Sequence, residues 1–162
     1  MAKSVEERLR ILEIKDAAAM AMYRYWRCLD DKLFDELPDT FTEDAYGDWG
    51  MPTWRKTGRA EICEWLQANE SQKDLRLSHF GHNTEIFVVN DKEAHGIFKH
   101  QDLVVMGGAT IMSGFGQYRI TFTEGDDGVW RIHRLQLRYA YRESVQRFID
   151  GEMLVTTPEL SQ

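Results

Sequence analysis

The chain has 162 residues, with 20 lysine plus arginine against 27 aspartate plus glutamate, and a formal net charge of −7. That length fits one domain, residues 1–162, with a core large enough to need no disulfide or metal staple. The acidic balance excludes a basic nucleic-acid-binding module, because phosphate neutralisation needs a cationic face. Hydrophobic residues make up 43% and charged residues 29%, an ordinary globular balance, so the 12% of aromatics is the distinctive figure. Such a share can fill a core, line a pocket for a flat apolar ligand, or do both.

The first residues, MAKSVEERLRILEIKD, hold no long apolar run, which predicts neither a signal peptide nor a membrane anchor. Cys28 and Cys63 lack a CxxC spacing and fit free thiols in a reduced compartment, so a cytoplasmic location is the default expectation. Asn69-Glu70-Ser71 matches a glycosylation sequon, which means nothing without a secretory signal.

Ser4 and Glu7 form an S-x-x-E capping box that opens a helix. From Val5 to about Leu29 apolar residues recur near helical spacing at Leu9, Leu12, Ala18/Ala19, Met22, Trp26 and Leu29, and Asp30-Asp31 closes the run. A short helical segment, Lys32–Leu37, is expected before Pro38. Asp44–Trp49 reads as extended, Gly50 and Pro52 as a turn, and Arg59–Asn69 as a second helix with Ile62, Trp65 and Leu66 on one face. Strands follow at Leu77–Val89, Glu93–Met106, Ala109–Phe122 and Val129–Tyr141, separated by Asn90-Asp91, Gly107-Gly108 and Gly125-Asp126-Asp127-Gly128. The predicted architecture is α+β, with helices covering one face of a curved antiparallel meander. Residues 142–162 form a tail expected to hold one short helix.

The strands exceed the usual ~5–6 residues, so bulges are expected. Their alternation is also mixed: Trp130 and Ile132 share a side with Arg134, Gln136 and Arg138, opposite His133, Leu135, Leu137, Tyr139 and Tyr141. That pattern fits a bulge, or polar groups lining an internal cavity, or a solvated face that meets another subunit.

Chemistry must come from few residues. The histidines are His79, His82, His95, His100 and His133. His79 and His82, three apart in a strand, point to opposite faces, as do His95 and His100, so no metal site is expected. Gly114-Phe115-Gly116 runs into a strand rather than a helix and is no phosphate loop. No nucleophile motif is present, which leaves general acid–base chemistry by a histidine held by a carboxylate. Asp30 or Asp31 is the candidate carboxylate. Helical spacing puts Tyr23, Trp26 and Asp30 on one face, whereas Tyr25 lies about 140° from Asp30 and reaches the same cavity only if the helix end turns inward. The bland alternatives are a helix-terminus turn residue for Asp30 and a purely structural place for each histidine.

Several segments carry a resemblance in their order and spacing. They are Tyr25-Trp26-Arg27-Cys28-Leu29-Asp30, Phe34-Asp35-Glu36-Leu37, Phe41-Thr42-Glu43-Asp44-Ala45, Gly58-Arg59-Ala60-Glu61-Ile62, Ser78-His79-Phe80-Gly81-His82 and Gly128-Val129-Trp130-Arg131-Ile132. From Val5 to Tyr141 the chain resembles the SnoaL-like branch of the nuclear-transport-factor-2-like (cystatin-like α+β cone) superfamily. Within that branch it is most similar to bacterial bile acid 7α-dehydratases, through Tyr25–Asp30, Phe34–Leu37 and His79-x-Gly81-His82-x-x-Glu85-Ile86.

The resemblance implies a lyase without cofactor or metal. By position His79 is the base, Asp30 orients it and balances the imidazolium, and Tyr25 lies beside the leaving group. The implied substrate is a 3-oxo-Δ4 steroid with a 7α-hydroxyl. Its C6 proton is acidified through vinylogy and passes to His79, and the 7-hydroxyl leaves as water. The proton for that hydroxyl comes from Tyr25 or from the imidazolium. Trp49, Tyr118, Arg138, Phe80 and Trp26 are candidates for the substrate pocket, with Phe115 a further aromatic candidate, while Trp65 and Trp130 are expected in the core. Arg138 sits one place from Tyr139, onto which simple alignment brings the family's arginine, and one residue in a strand reverses the face. The resemblance also implies a trimer or dimer through the open sheet face. Alternatives within the fold are a polyketide cyclase, a scytalone-type dehydratase or a dehydrochlorinase; outside it in chemistry is a non-catalytic ligand-binding module.

Overall fold

The computed structural model describes residues 3–107, 110–146 and 155–159. Helix α1 (Val5–Asp30) opens on the capping box, with Glu7 N–H donating to Ser4 Oγ at 3.1 Å and Ser4 N–H donating to Glu7 at 2.7 Å. Its buried stripe is Ile14, Ala18, Ala21, Met22, Tyr25, Trp26 and Leu29. Leu9 and Leu12, expected on that stripe, are exposed, and the buried stripe begins only at Ile14.

The helix ends in a Schellman arrangement: Leu33 N–H donates to Cys28 O at 2.8 Å and Lys32 N–H to Leu29 O at 3.3 Å, with Lys32 at φ +58°. That stop fixes Asp30 as the last helical residue. The helical segment expected at Lys32–Leu37 is instead a run of turns, and a single 3-10 turn, Leu37–Thr40, begins where Pro38 allows.

Strand β1 (Phe41–Asp48) and the short β2 (Arg55–Thr57) lead into α2 (Arg59–Glu70), which starts at Gly58 with φ +88°. Then come β3 (Leu75–Asn90), β4 (Glu93–Met106), β5 (Thr110–Glu124), β6 (Trp130–Gln146) and β7 (Val155–Glu159). The sheet order is β2-β1-β6-β5-β4-β3, with β7 also on β6. It is mixed rather than purely antiparallel, since β1 pairs parallel with β6. The tail differs from expectation too. β6 runs on through Gln146 and β7 adds an antiparallel strand. Residues 142–146 and 155–159 are therefore strand rather than the expected helix, and 147–154 and 160–162 lie outside the described residues.

The mixed alternation of the last strand resolves into bulges. Thr121 faces Arg134 but Phe122 faces Ile132, so His133 is an extra residue, and Ala140 is another between Tyr139 and Tyr141. Each extra residue reverses which parity points inward. Ile132, Leu135 and Leu137 are therefore all buried on the concave face, although their spacing breaks period two. The sheet curves around α1, and the core lies between helix and concavity.

Candidate active site

His79 lies on β3, an edge strand, in a row of inward residues with Leu75 and Leu77. An edge strand leaves alternate backbone N–H groups without a ladder partner. Asp30 fills that role: its Oδ2 accepts the His79 N–H at 3.0 Å, and its Oδ1 meets His79 Nδ1 at 2.6 Å. One carboxylate thus grips backbone and ring together. With Nδ1 bound, Nε2 is the nitrogen left for chemistry. A carboxylate in the last turn of a helix faces the partial negative end of the dipole, so its contact with His79 is what favours it there.

Beside His79 opens a cavity of about 300 Å³, reached by Tyr25, Trp49, His79, Glu70, Tyr118 and Tyr139 among others. Tyr25 and Asp30 need not share it, despite their 140° separation, because His79 stands between them. It lines the cavity on one side and a shallow cleft containing Asp30 on the other. Tyr25 is fully buried, and its oxygen accepts the Trp49 indole N–H at 3.0 Å. Burial drives its pKa well up, only partly opposed by the Trp49 hydrogen bond. The hydroxyl stays protonated and its hydrogen is directed away from Trp49. Tyr118, likewise buried, is also held far into its protonated range by burial.

A second polar group occupies the floor, on β4, β5 and β6. Asp102 faces His79 directly across the β3–β4 ladder and accepts a hydrogen bond from the Tyr139 hydroxyl. Burial pushes the Asp102 carboxyl up, but the neighbouring His100 and Tyr139 outweigh it and leave it below its usual value. Gly114 makes room for this pair, since a Cβ there would come within 2.5 Å of Tyr139 and 2.6 Å of Asp102. His100 is buried with its ring 5.6 Å from that of His79 and 6.1 Å from Trp26, stacked on both. Its nearest carboxylate oxygen, on Asp102, is 3.5 Å away, too long for a good hydrogen bond. Nδ1 has no hydrogen-bond partner among the described residues, and burial lowers the His100 pKa against the opposing pull of Asp102, which favours the neutral ring.

The fold therefore brings together His79, Asp30, Tyr25, Trp49 and Tyr118. It places the other candidates elsewhere. Trp26 does not line the 300 Å³ cavity; it packs behind it against His100, Phe98 and Tyr118. Gly81 leaves the space its indole fills. Phe80 and Phe115 are each 47% exposed, because their neighbours His79 and Gly114 take the inward positions. Arg138 points outward and pairs with Asp48 at 2.7 Å, since Leu137 and Tyr139 occupy the inward phase of β6. Beyond the second bulge that phase passes to Arg142, which reaches the cavity and lies over the Tyr139 and Trp54 rings at 5.1 and 5.6 Å. Trp65 is a cavity residue rather than core, with its ring 4.8 Å from that of Trp49, whereas Trp130 is buried.

His100 and Asp102 had a signal in the sequence: they continue the inward alternation of Ala94, Gly96 and Phe98. Glu70 and Arg142 had none, because a helix end and a bulge position them. Both thiols are free, Cys28 buried and Cys63 half-buried, and burial pushes Cys63 up to about 11. Among the described residues no three His, Cys, Asp or Glu side chains gather to hold a metal. No helix among them is long and apolar enough to cross a membrane.

A helix cradled by a curved sheet, with a conical cavity between them, is the nuclear-transport-factor-2-like fold. The model of the SnoaL-like domain matches residues 10–136, and the chain belongs to that family. Solved structures agree in shape. A candidate scytalone dehydratase from Novosphingobium aromaticivorans DSM 12444 is 23% identical, with TM-score 0.75 over 89% of this chain and 97% of that one. A hexachlorocyclohexane dehydrochlorinase, LinA-type3 from Novosphingobium barchaimii LL02, is 18% identical, with TM-score 0.74 over 91% and 98%. ActVI-ORFA from Streptomyces coelicolor is 16% identical, with TM-score 0.67 over 78% and 97%.

Proposed function

We propose that this protein is a cofactor-independent lyase that eliminates water from a hydroxylated ketone, with His79 as general base. The observation that carries the reading is the double grip of Asp30 on the His79 ring and backbone. It fixes the tautomer with the Nδ1 proton on the Asp30 side, so Nε2 can take a proton from carbon, and it balances the imidazolium that results. Most of the cavity wall is aromatic and aliphatic, which suits a flat apolar substrate, with polar groups such as His79, Glu70, Asp102 and Arg142 set into it. That structures of the same fold include a dehydrochlorinase and a candidate dehydratase is consistent with elimination.

In the reaction His79 removes the proton α, or vinylogously γ, to the carbonyl. The electron pair forms an enolate and then expels the hydroxyl as the new double bond closes. Tyr25 hydrogen-bonds the departing oxygen, held in place by Trp49. The first substrate to test is a 7α-hydroxy-3-oxo-Δ4 steroid. A second reading, a smaller bicyclic or tricyclic β-hydroxy ketone, is favoured by the cavity volume, which lies at the low end of the ~300–1,000 Å³ range of ligand sites.

The test follows the ultraviolet absorbance of a 4,6-dien-3-one formed from the hydroxy steroid, alongside a small aromatic β-hydroxy ketone. His79→Ala is expected to lose at least about 100-fold in kcat/KM, the lower end for removing a general base. Turnover of the small ketone alone overturns the steroid. Undiminished turnover by the alanine variant, or ligand binding with no turnover of any hydroxy ketone, overturns the lyase reading in favour of a binding module.

A further inference from the structure

The elimination needs a proton for a hydroxyl that cannot leave as hydroxide, and neither residue named so far supplies it well. Tyr25 is held too far into its protonated range to give up a whole proton readily near neutrality. The imidazolium of His79 has its Nδ1 proton committed to Asp30 and its Nε2 proton on the side of the attacked carbon.

Glu70, the last residue of α2, lines the same cavity from the helix side. It is half-buried, and no hydrogen bond to its carboxyl is found among the described residues. Its carboxyl is thus uncommitted among the described residues, at the wall of the cavity. The same cavity is lined by His79 from β3 and Tyr25 from α1, so the carboxyl shares one space with the base and the tyrosine. The charged groups around it are His79 on β3, Asp102 on β4 and Lys32 just after α1. Lys32 is partly occupied elsewhere, since its ammonium donates to the Gln72 carbonyl.

Resting on the lyase reading above, we propose that Glu70 is the proton donor to the departing hydroxyl. The carboxylic acid gives its proton to the oxygen as the C–O bond breaks, and water leaves. The carbon-bound proton is by then on His79 Nε2. The imidazolium returns it to the Glu70 carboxylate through water in the cavity. Both groups recover their starting forms, and the net change is substrate to alkene plus water. The environment suits the role: burial raises the Glu70 pKa, which outweighs the lowering by His79 and Lys32, and so favours the acid form that a donor needs. The Tyr25 hydroxyl then positions the departing oxygen rather than feeding it a proton.

The experiment compares a β-hydroxy ketone with its β-chloro counterpart in the whole protein, because chloride leaves without being protonated. Glu70→Gln keeps the shape and removes the acid. The expected result is a loss of about 100-fold or more in kcat for the hydroxy ketone, with chloride elimination within about threefold of wild type. His79→Ala is expected to lose both. Equal loss of both reactions in Glu70→Gln makes the residue structural and overturns the donor role; no loss of either also overturns it, while the base remains standing. If His79→Ala spares both reactions, the parent reading falls instead. A readout without turnover runs beside this: 13C-labelled glutamate is followed by NMR across pH, with Glu70→Gln assigning the signal. A Glu70 carboxyl that titrates with the exposed glutamates overturns the proposal whatever the activity.

Discussion

Replacing Asp30 by Asn probes the base most directly, because it exchanges one oxygen for an NH₂ and changes almost no volume. Asp30 offers two acceptor oxygens and uses both, at 2.6 Å to His79 Nδ1 and 3.0 Å to the His79 N–H. Asparagine offers one acceptor and one donor. If its oxygen keeps the backbone N–H, its NH₂ faces Nδ1, which must then carry a lone pair, and the proton moves to Nε2, where the base is needed. If its oxygen keeps Nδ1–H, the NH₂ meets the backbone N–H, donor against donor. Either way one bond to a charged acceptor is lost, worth about 1.5–3 kcal/mol, and the partial exposure of Asp30 argues for the lower end. About 1.5 kcal/mol corresponds to a fall in Tm of about 3–6 °C for a chain of this size. The kinetic loss is expected to be at least about 100-fold in kcat/KM, since one arrangement puts the proton on Nε2 and the other replaces the charged partner of the imidazolium by a neutral amide. Calorimetry gives the first number and the elimination assay the second, while 15N NMR of the His79 ring reads the tautomer. Wild-type turnover together with an unmoved Tm refutes the argument that Asp30 orients His79.

Tyr25→Phe leaves the buried Trp49 indole N–H without its acceptor, an expected cost of about 1–3 kcal/mol in denaturant titrations, and drops kcat about 100-fold if the hydroxyl contacts the reacting oxygen. His100→Phe bears on pH. Burial lowers the His100 pKa in the folded state, so the unfolded chain binds more protons and stability rises with pH from the folded pKa up to the unfolded value near 6.5. The phenylalanine variant is expected to lose that rise in Tm measured between about pH 5 and 7, and an unchanged profile refutes a neutral buried ring. Arg138→Ala is expected to leave KM and kcat alone, as the guanidinium faces away from the cavity. Its effect falls on acid stability: burial raises the Asp48 pKa, but Arg138, Gly50 N–H and Arg55 more than offset this and leave it lowered. Asp48 therefore contributes stability above its unfolded pKa of about 3.9 that is lost as pH falls through the folded one, and that acid-dependent share is expected to shrink in the variant. A change in KM would put Arg138 back at the cavity.

Local pattern carried much of this protein. The capping box at Ser4 and Glu7, the glycine turns between strands and the apolar periods of the two helices are short-range features, so the α+β layout and most element ends could be read within a few residues. The tyrosine, aspartate and histidine of the candidate site could be named through segments whose order resembles a family. What residue spacing could not give was phase. The bulges at His133 and Ala140 each reverse which side of β6 faces inward, and whether a strand takes an extra residue depends on the neighbour it pairs with. That is why Arg138 lies outside, Tyr139 and Arg142 face the cavity, and a strand expected to end at Tyr141 runs on to meet β7. Distance in sequence set the other limit. Glu70 drew notice only as part of a sequon, because nothing around it signals that the end of α2 lines one cavity with a histidine on β3 and a tyrosine on α1. The helix spacing of Tyr25 and Asp30 argued against a shared cavity and was sound, but a third element between them made it unnecessary. Composition and period follow from each residue's own chemistry; which side chains meet across the cavity follows from the curvature of the sheet around α1, which is a property of all the strands together.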